Sequence, residues 1–236
     1  MDHLGFHCNP DAEELAHRLA KDVAQRLERA IDERSFAILV VSGGSTPKPF
    51  FRYLSQLKIS WEKVLVTLAD ERCVDPTNDA SNAKLVSENL LQNAASTAQF
   101  IPLFGGDDTG SIAAKNISTR LTGLSTYDVV ILGMGDDGHT ASIFPKASNR
   151  AQALDTKQTE SALLVDPVTV KPLRITQTAR RLLDSHFLAV HITGKAKALV
   201  LKRIIANPDP EQWPISRFIE QAQVPAKIYS DIEIDR

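Results

Sequence analysis

Apolar residues recur along the chain with two periods in alternation. From Leu15 through Leu19, Val23, Leu27 and Ile31 the spacing is helical, and Asn9-Pro10-Asp11 ahead of it has the form of a helix start, a capping residue followed by proline. The next apolar block, Ala37–Val41, is continuous, as a strand buried on both faces of a parallel sheet should be. The rhythm then repeats, with a helix from Pro47, a strand over 64–69, a helix over 82–91, a strand over 100–103, a helix over 111–121 and a strand over 128–132. Strands over 162–165 and 187–192, a helix from Lys195 and a short strand over 226–229 complete the series. This alternation predicts an α/β fold: a doubly wound, mostly parallel, Rossmann-like sheet flanked by helices. Residues 146–161 are polar and aperiodic, and read as a surface loop or short helix inside one domain spanning 1–236.

Composition narrows the partners. A chain of 236 residues with 43% hydrophobic content can bury a full core. The formal net charge is -2, with Lys and Arg scattered among Asp and Glu, so neither a nucleic-acid-binding patch nor a polybasic membrane anchor is expected and a small molecule is the expected partner. Cys8 and Cys73 stand far apart with no CxxC pair, which argues against a disulfide framework or a cysteine zinc site. Met1-Asp2-His3-Leu4-Gly5 lacks the charged and apolar regions of a signal peptide, and no apolar run approaches membrane-spanning length, so cytoplasmic residence is expected.

The segment from Val129 to Pro145 carries the clearest chemistry. An apolar strand runs into Gly133-Met134-Gly135-Asp136-Asp137-Gly138-His139, and ligands bind at such carboxyl ends. A helix starting near Gly138 would place His139 in its first turn, where the dipole disfavours imidazolium and leaves a neutral general base. The strand ending at Val41 delivers Ser42-Gly43-Gly44-Ser45-Thr46-Pro47, a loop whose backbone N–H groups suit a phosphate, with Thr46 placed to cap the following helix. Two further strands end in Asp70-Glu71-Arg72 and Thr193-Gly194-Lys195, bringing cations to the same edge. Lys195 opposes the dipole of its own helix unless an anion compensates it.

Other readings of these residues fail. Gly133 to Gly138 matches G-x-G-x-x-G, but Asp136 and Asp137 would lie beside the pyrophosphate, and Asp155, at the spacing of a ribose-binding acid, follows no strand. There is no P-loop, no G-x-S-x-G elbow and no H-E-x-x-H spacing, so no nucleotide cofactor or catalytic metal is implied.

Taken together, Ser42-Gly43-Gly44-Ser45-Thr46-Pro47, Asp70-Glu71-Arg72-Cys73-Val74 with Ser81-Asn82, the segment from Gly133 to Pro145, and Thr193-Gly194-Lys195 resemble the 6-phosphogluconolactonase family, in the family's order and over nearly the whole chain. The related glucosamine-6-phosphate deaminases share Gly-x-Gly-x-Asp-Gly-His but continue with Asn-Glu-Pro, and here Phe144 stands where their glutamate does. The resemblance implies hydrolysis of a sugar-phosphate lactone, with His139 as general base and Asp137 and Asp70 orienting it or the sugar. It further implies that Ser42, Gly43, Gly44, Ser45, Thr46, Arg72 and Lys195 hold phosphate or sugar oxygens, with Arg174 a weaker candidate. Arg72 and the backbone N–H groups of the 133–138 turn are the two candidate oxyanion donors. The alternatives are a sugar-phosphate deaminase or isomerase, which the missing glutamate disfavours, and a non-catalytic sugar-phosphate sensor, which would carry a DNA-binding segment.

Overall fold

The computed structural model describes residues 4–106, 109–168 and 171–234. Met1, Asp2 and His3, part of the segment read for a signal peptide, lie outside the described residues. Strand β1 (Leu4–Cys8) leads into helix α1 (Ala12–Arg34), then β2 (Ala37–Val41), α2 (Lys48–Gln56), β3 (Val64–Leu68), β4 (Asp70–Arg72), α3 (Asn82–Asn89), β5 (Gln99–Ile101) and α4 (Gly110–Thr122). The second half runs β6 (Val129–Leu132), α5 (Arg150–Leu154), β7 (Ala162–Val165), β8 (Arg174–Gln177), α6 (Ala179–Leu183), β9 (Leu188–Ile192), α7 (Lys195–Ala206), α8 (Ser216–Ile219) and β10 (Ala226–Ser230).

Seven strands form one sheet in the order β1-β10-β9-β6-β2-β3-β5, parallel throughout. Strands β2, β3, β6 and β9 are buried at every position, because helices cover both faces and their apolar side chains leave water on either side. The chain winds outward from β2 to β3 in one direction and from β6 to β9 in the other. The crevice between the carboxyl ends of β2 and β6 is therefore the switch point where an α/β sheet takes its ligand.

The structure departs from the sequence expectation in several places. Strand 162–165 is not part of the parallel sheet: β7 pairs antiparallel with β8, and β8 with β4, in a separate three-stranded sheet. Edge strand β1 was not foreseen, since Gly5 and His7 break its apolar pattern. Helix α1 is capped by Asp11, whose side chain accepts from the amides of Glu13 and Glu14, while Asn9 accepts from the amide of Asp11. Thr46 does not cap α2; Pro47 occupies the cap position and the Thr46 hydroxyl lies 3.4 Å from that of Thr193.

Candidate active site

A cavity of about 550 Å³ opens over the switch point. The loop after β2 supplies Ser42 through Pro47, the segment after β6 supplies Gly133 to Gly135 and His139 to Ser142, and the second sheet supplies Asp70, Arg72 and Arg174. Two parts of the fold thus meet there, the parallel sheet giving a backbone cradle and the antiparallel one giving charge.

No helix begins near Gly138, the first after β6 being α5 at Arg150, so the expected dipole does not act on His139. The chain instead turns at residues 136–137, passes Gly138 at φ +74° and Ala141 at φ +48°, and closes a narrow loop through bonds from Gly135 N to the His139 carbonyl and from Gly138 N to the Gly135 carbonyl. A side chain at Gly138 would meet the Trp213 ring at 2.7 Å as well as strain the backbone. What fixes the imidazole is Asp137: its Oδ1 lies 2.5 Å from His139 Nδ1 and also accepts the His139 amide at 3.1 Å. Such a partner holds the proton on Nδ1 and leaves Nε2 as the basic nitrogen. Burial works to raise the Asp137 carboxyl, but the His139 hydrogen bond and charge outweigh it and hold it below the ordinary carboxylate value.

Phe144 packs its ring on that of His139, with centroids 4.5 Å apart. Gly135 is required by the same ring, since a Cβ there would lie 2.2 Å from His139 Nδ1 and Cε1. Gly135→Ala should therefore displace the imidazole and lower kcat by about tenfold, with far-UV circular dichroism unchanged; small misplacements of a catalytic group cost rate out of proportion to their size. Unaltered kcat would show that the ring's position is not critical.

Asp70 does not reach His139 by any hydrogen bond among the described residues. It accepts the Ser142 hydroxyl at 2.5 Å, and Ser142 N donates to the Thr176 hydroxyl oxygen at 3.2 Å, so Asp70 anchors the segment that follows the histidine. Glu71, beside it, is spent on structure: its buried carboxylate accepts the amides of Arg72, Asn82 and Ala83 at 2.6–2.8 Å. Asn82 then donates to the Asp70 carbonyl and accepts Arg72 Nη1 at 2.8 Å, as does the Ala80 carbonyl. The Asn82 amide presses so closely on Gly43 that a Cβ there would lie 1.9 Å from its oxygen, which sets Arg72 beside the loop after β2.

Arg174 stands directly opposite Arg72 in the antiparallel ladder and is 8% exposed. Burial, with the neighbouring Arg72 charge, lowers the Arg174 guanidinium from its ordinary value. Like charges opposed in a sheet destabilise it, and an anion in the cavity would relieve the repulsion. Lys195 is placed differently from expectation. It is exposed and outside the cavity wall, whereas Lys197 lines it. With α7 beginning at Lys195, two residues carry the side chain roughly 200° around the helix, to its other side. Lys171 and His191, also unforeseen, line it too, and among the described residues no cluster of three or more His, Cys, Asp or Glu is arranged to hold a metal.

Residues 10–226 match the family of glucosamine-6-phosphate isomerases/6-phosphogluconolactonase. The chain belongs to this family. It is 44% identical over 222 residues to a 6-phosphogluconolactonase of Rhizobium meliloti (strain 1021), covering 94% of this chain and 95% of that one. It also superposes on the crystal structure of a 6-phosphogluconolactonase from Shewanella baltica OS155 with a TM-score of 0.90 at 37% identity, covering 96% of each chain. A solved monomeric glucosamine-6-phosphate deaminase shares the fold at 18% identity, with a TM-score of 0.77 and 95% and 96% coverage. The fold alone thus does not separate proteins of the two names, and side chains must.

Proposed function

We propose that the protein hydrolyses 6-phospho-D-glucono-1,5-lactone to 6-phospho-D-gluconate, in the oxidative pentose phosphate pathway, with His139 activating the water. The observation that carries this reading over deamination is Phe144, whose ring packs on His139 where the deaminases have a glutamate. No second carboxylate then pairs with the histidine at that position for opening a sugar ring, and the Asp137–His139 pair is suited to a single proton relay.

In this mechanism His139 Nε2 takes a proton from water as the oxygen attacks the lactone carbonyl. The tetrahedral intermediate collapses by breaking the bond from C1 to the ring oxygen, and the imidazolium returns the proton to that leaving oxygen. Asp137 steadies the imidazolium while it exists. Of the turn's amides, those of Gly135 and Gly138 are committed to carbonyls of the loop and do not serve the oxyanion. Arg72, tied beside Gly43, is assigned to the phosphate together with Ser42 through Thr46 and Lys197. Arg174 takes part through its charge.

A direct assay tests the reading. Acid should be released from the lactone above the spontaneous rate, and no ammonia from glucosamine 6-phosphate. Ammonia release, or binding of the lactone without turnover, would overturn it in favour of a deaminase or a sensor. The donor set of the site also predicts that activity survives prolonged chelation. Loss of activity with the metal content of the same sample, and recovery on adding zinc, would instead make His139 a ligand.

A further inference from the structure

His191, in β9, is 3% exposed yet forms part of the cavity wall. Neither of its ring nitrogens has a hydrogen-bond partner among the described residues. The large majority of buried polar side chains in native proteins are bonded, and the parallel sheet otherwise keeps the rule. Thr67, fully buried in β3, donates to the Ile101 carbonyl at 2.9 Å, and Tyr229 in β10 donates to Asp22 at 2.6 Å. An imidazole set among apolar strand residues therefore carries an uncompensated cost that its neighbours do not.

Its surroundings indicate what completes it. Phe50, in the first turn of α2 just after the 42–47 loop, meets the ring edge-on at 6.4 Å. Two residues further along, Thr193 faces Thr46 of that loop. Burial, and then the Lys197 ammonium, depress the ring to about 4, so it is neutral near pH 7 and offers one N–H and one lone pair. A cationic ring here would repel Lys197; a neutral one adds a donor for an anion without that repulsion.

We propose that His191 is a substrate-positioning residue whose neutral imidazole N–H donates to the phosphoryl group held between the 42–46 loop and Lys197. This rests on the reading of that end of the cavity as the phosphate site. The chemistry recognised is a phosphomonoester, and the donor is distinct from the Asp137–His139 pair that acts on water.

His191→Leu removes both nitrogens, and His191→Gln returns an N–H at similar reach. For the leucine variant we expect KM for the phosphorylated lactone to rise about tenfold, as loss of a hydrogen bond to a charged group predicts, with kcat falling far less. The ratio of kcat/KM for the phosphorylated over the unphosphorylated lactone should fall by about the same factor, and the glutamine variant should recover most of it. Thermal melting supplies a readout free of turnover. The leucine variant should melt no lower than wild type without ligand, and inorganic phosphate should raise its midpoint less than it raises that of wild type. An unchanged KM, an equal loss on both lactones, or a lowered midpoint with no recovery in the glutamine variant would overturn the proposal. Absence of lactone hydrolysis by the wild type would sink the lactonase reading, while the phosphate-dependent melting would still decide the role of His191.

Discussion

His139→Asn is expected to lower kcat by about 100-fold to 10,000-fold, the range for loss of a positioned general base. Asparagine preserves a side-chain N–H that can still bond Asp137, the present partner at 2.5 Å, so the loop and the Phe144 contact have no cause to rearrange. What disappears is the basic Nε2. Because the lactone also opens spontaneously, rates are corrected against an enzyme-free control at the same pH and buffer concentration. Binding of 6-phosphogluconate, followed by its effect on the melting midpoint, should change little, since the phosphate contacts assigned above lie elsewhere in the cavity. A variant that turns over at close to the wild-type rate would remove His139 from the mechanism. A variant that loses product binding as well would show that the histidine organises the cavity and not only the water.

The sequence exposed the parallel sheet because burial on both faces leaves a signature that needs no tertiary knowledge: Ala37–Val41 and Val129–Leu132 are apolar at every position. The second sheet has no such signature. Its strands β4 and β8 read Asp-Glu-Arg and Arg-Ile-Thr-Gln, yet apart from Arg72 they are buried, because their polar side chains, Arg174 Nε excepted, find specific partners. Glu71 is covered by three amides, and Gln177 donates to the Leu68 carbonyl and accepts the Tyr127 hydroxyl. Those partners lie from one to more than a hundred residues away, beyond the reach of any local pattern. Strand 162–165 was visible as a strand but not as a partner of these two, for the same reason.

At the site, residue types were more legible than geometry. His139 and the 42–46 loop line one cavity, and the structure brings Asp70, Arg72 and Arg174 to it. The expected helix start at His139 fails, because Gly138 at φ +74° continues a tight loop, whereas Asp137 was already among the residues expected to orient the histidine. Asp137, two residues before the histidine, bonds both its ring and its amide, a local pattern of the kind aspartate favours near turns. Lys197 was within reach of sequence reasoning. Once Gly194 is taken as the residue capping the helix, side chains at the first and third helical positions diverge, and only one of Lys195 and Lys197 can face the crevice.

That divergence yields the second large effect. Lys197→Ala should lower kcat/KM for the phosphorylated lactone by about 100-fold, near the upper end of what one charge-assisted contact to a phosphate supplies. Lys195→Ala, which alters an exposed side chain outside the cavity wall, should change it by less than about twofold. The loss in the first variant should shrink on unphosphorylated gluconolactone, where no phosphate is present to be held. Stability provides an independent check, because a cation in the first turn of α7 opposes the helix dipole. Removing Lys197 should leave the melting midpoint of the free protein unchanged or slightly raised, so a fall in activity cannot be ascribed to unfolding. Equal losses in the two variants would mean that the lysines act through the general field of the helix terminus, and a loss confined to Lys195→Ala would place the phosphate on the other side of α7.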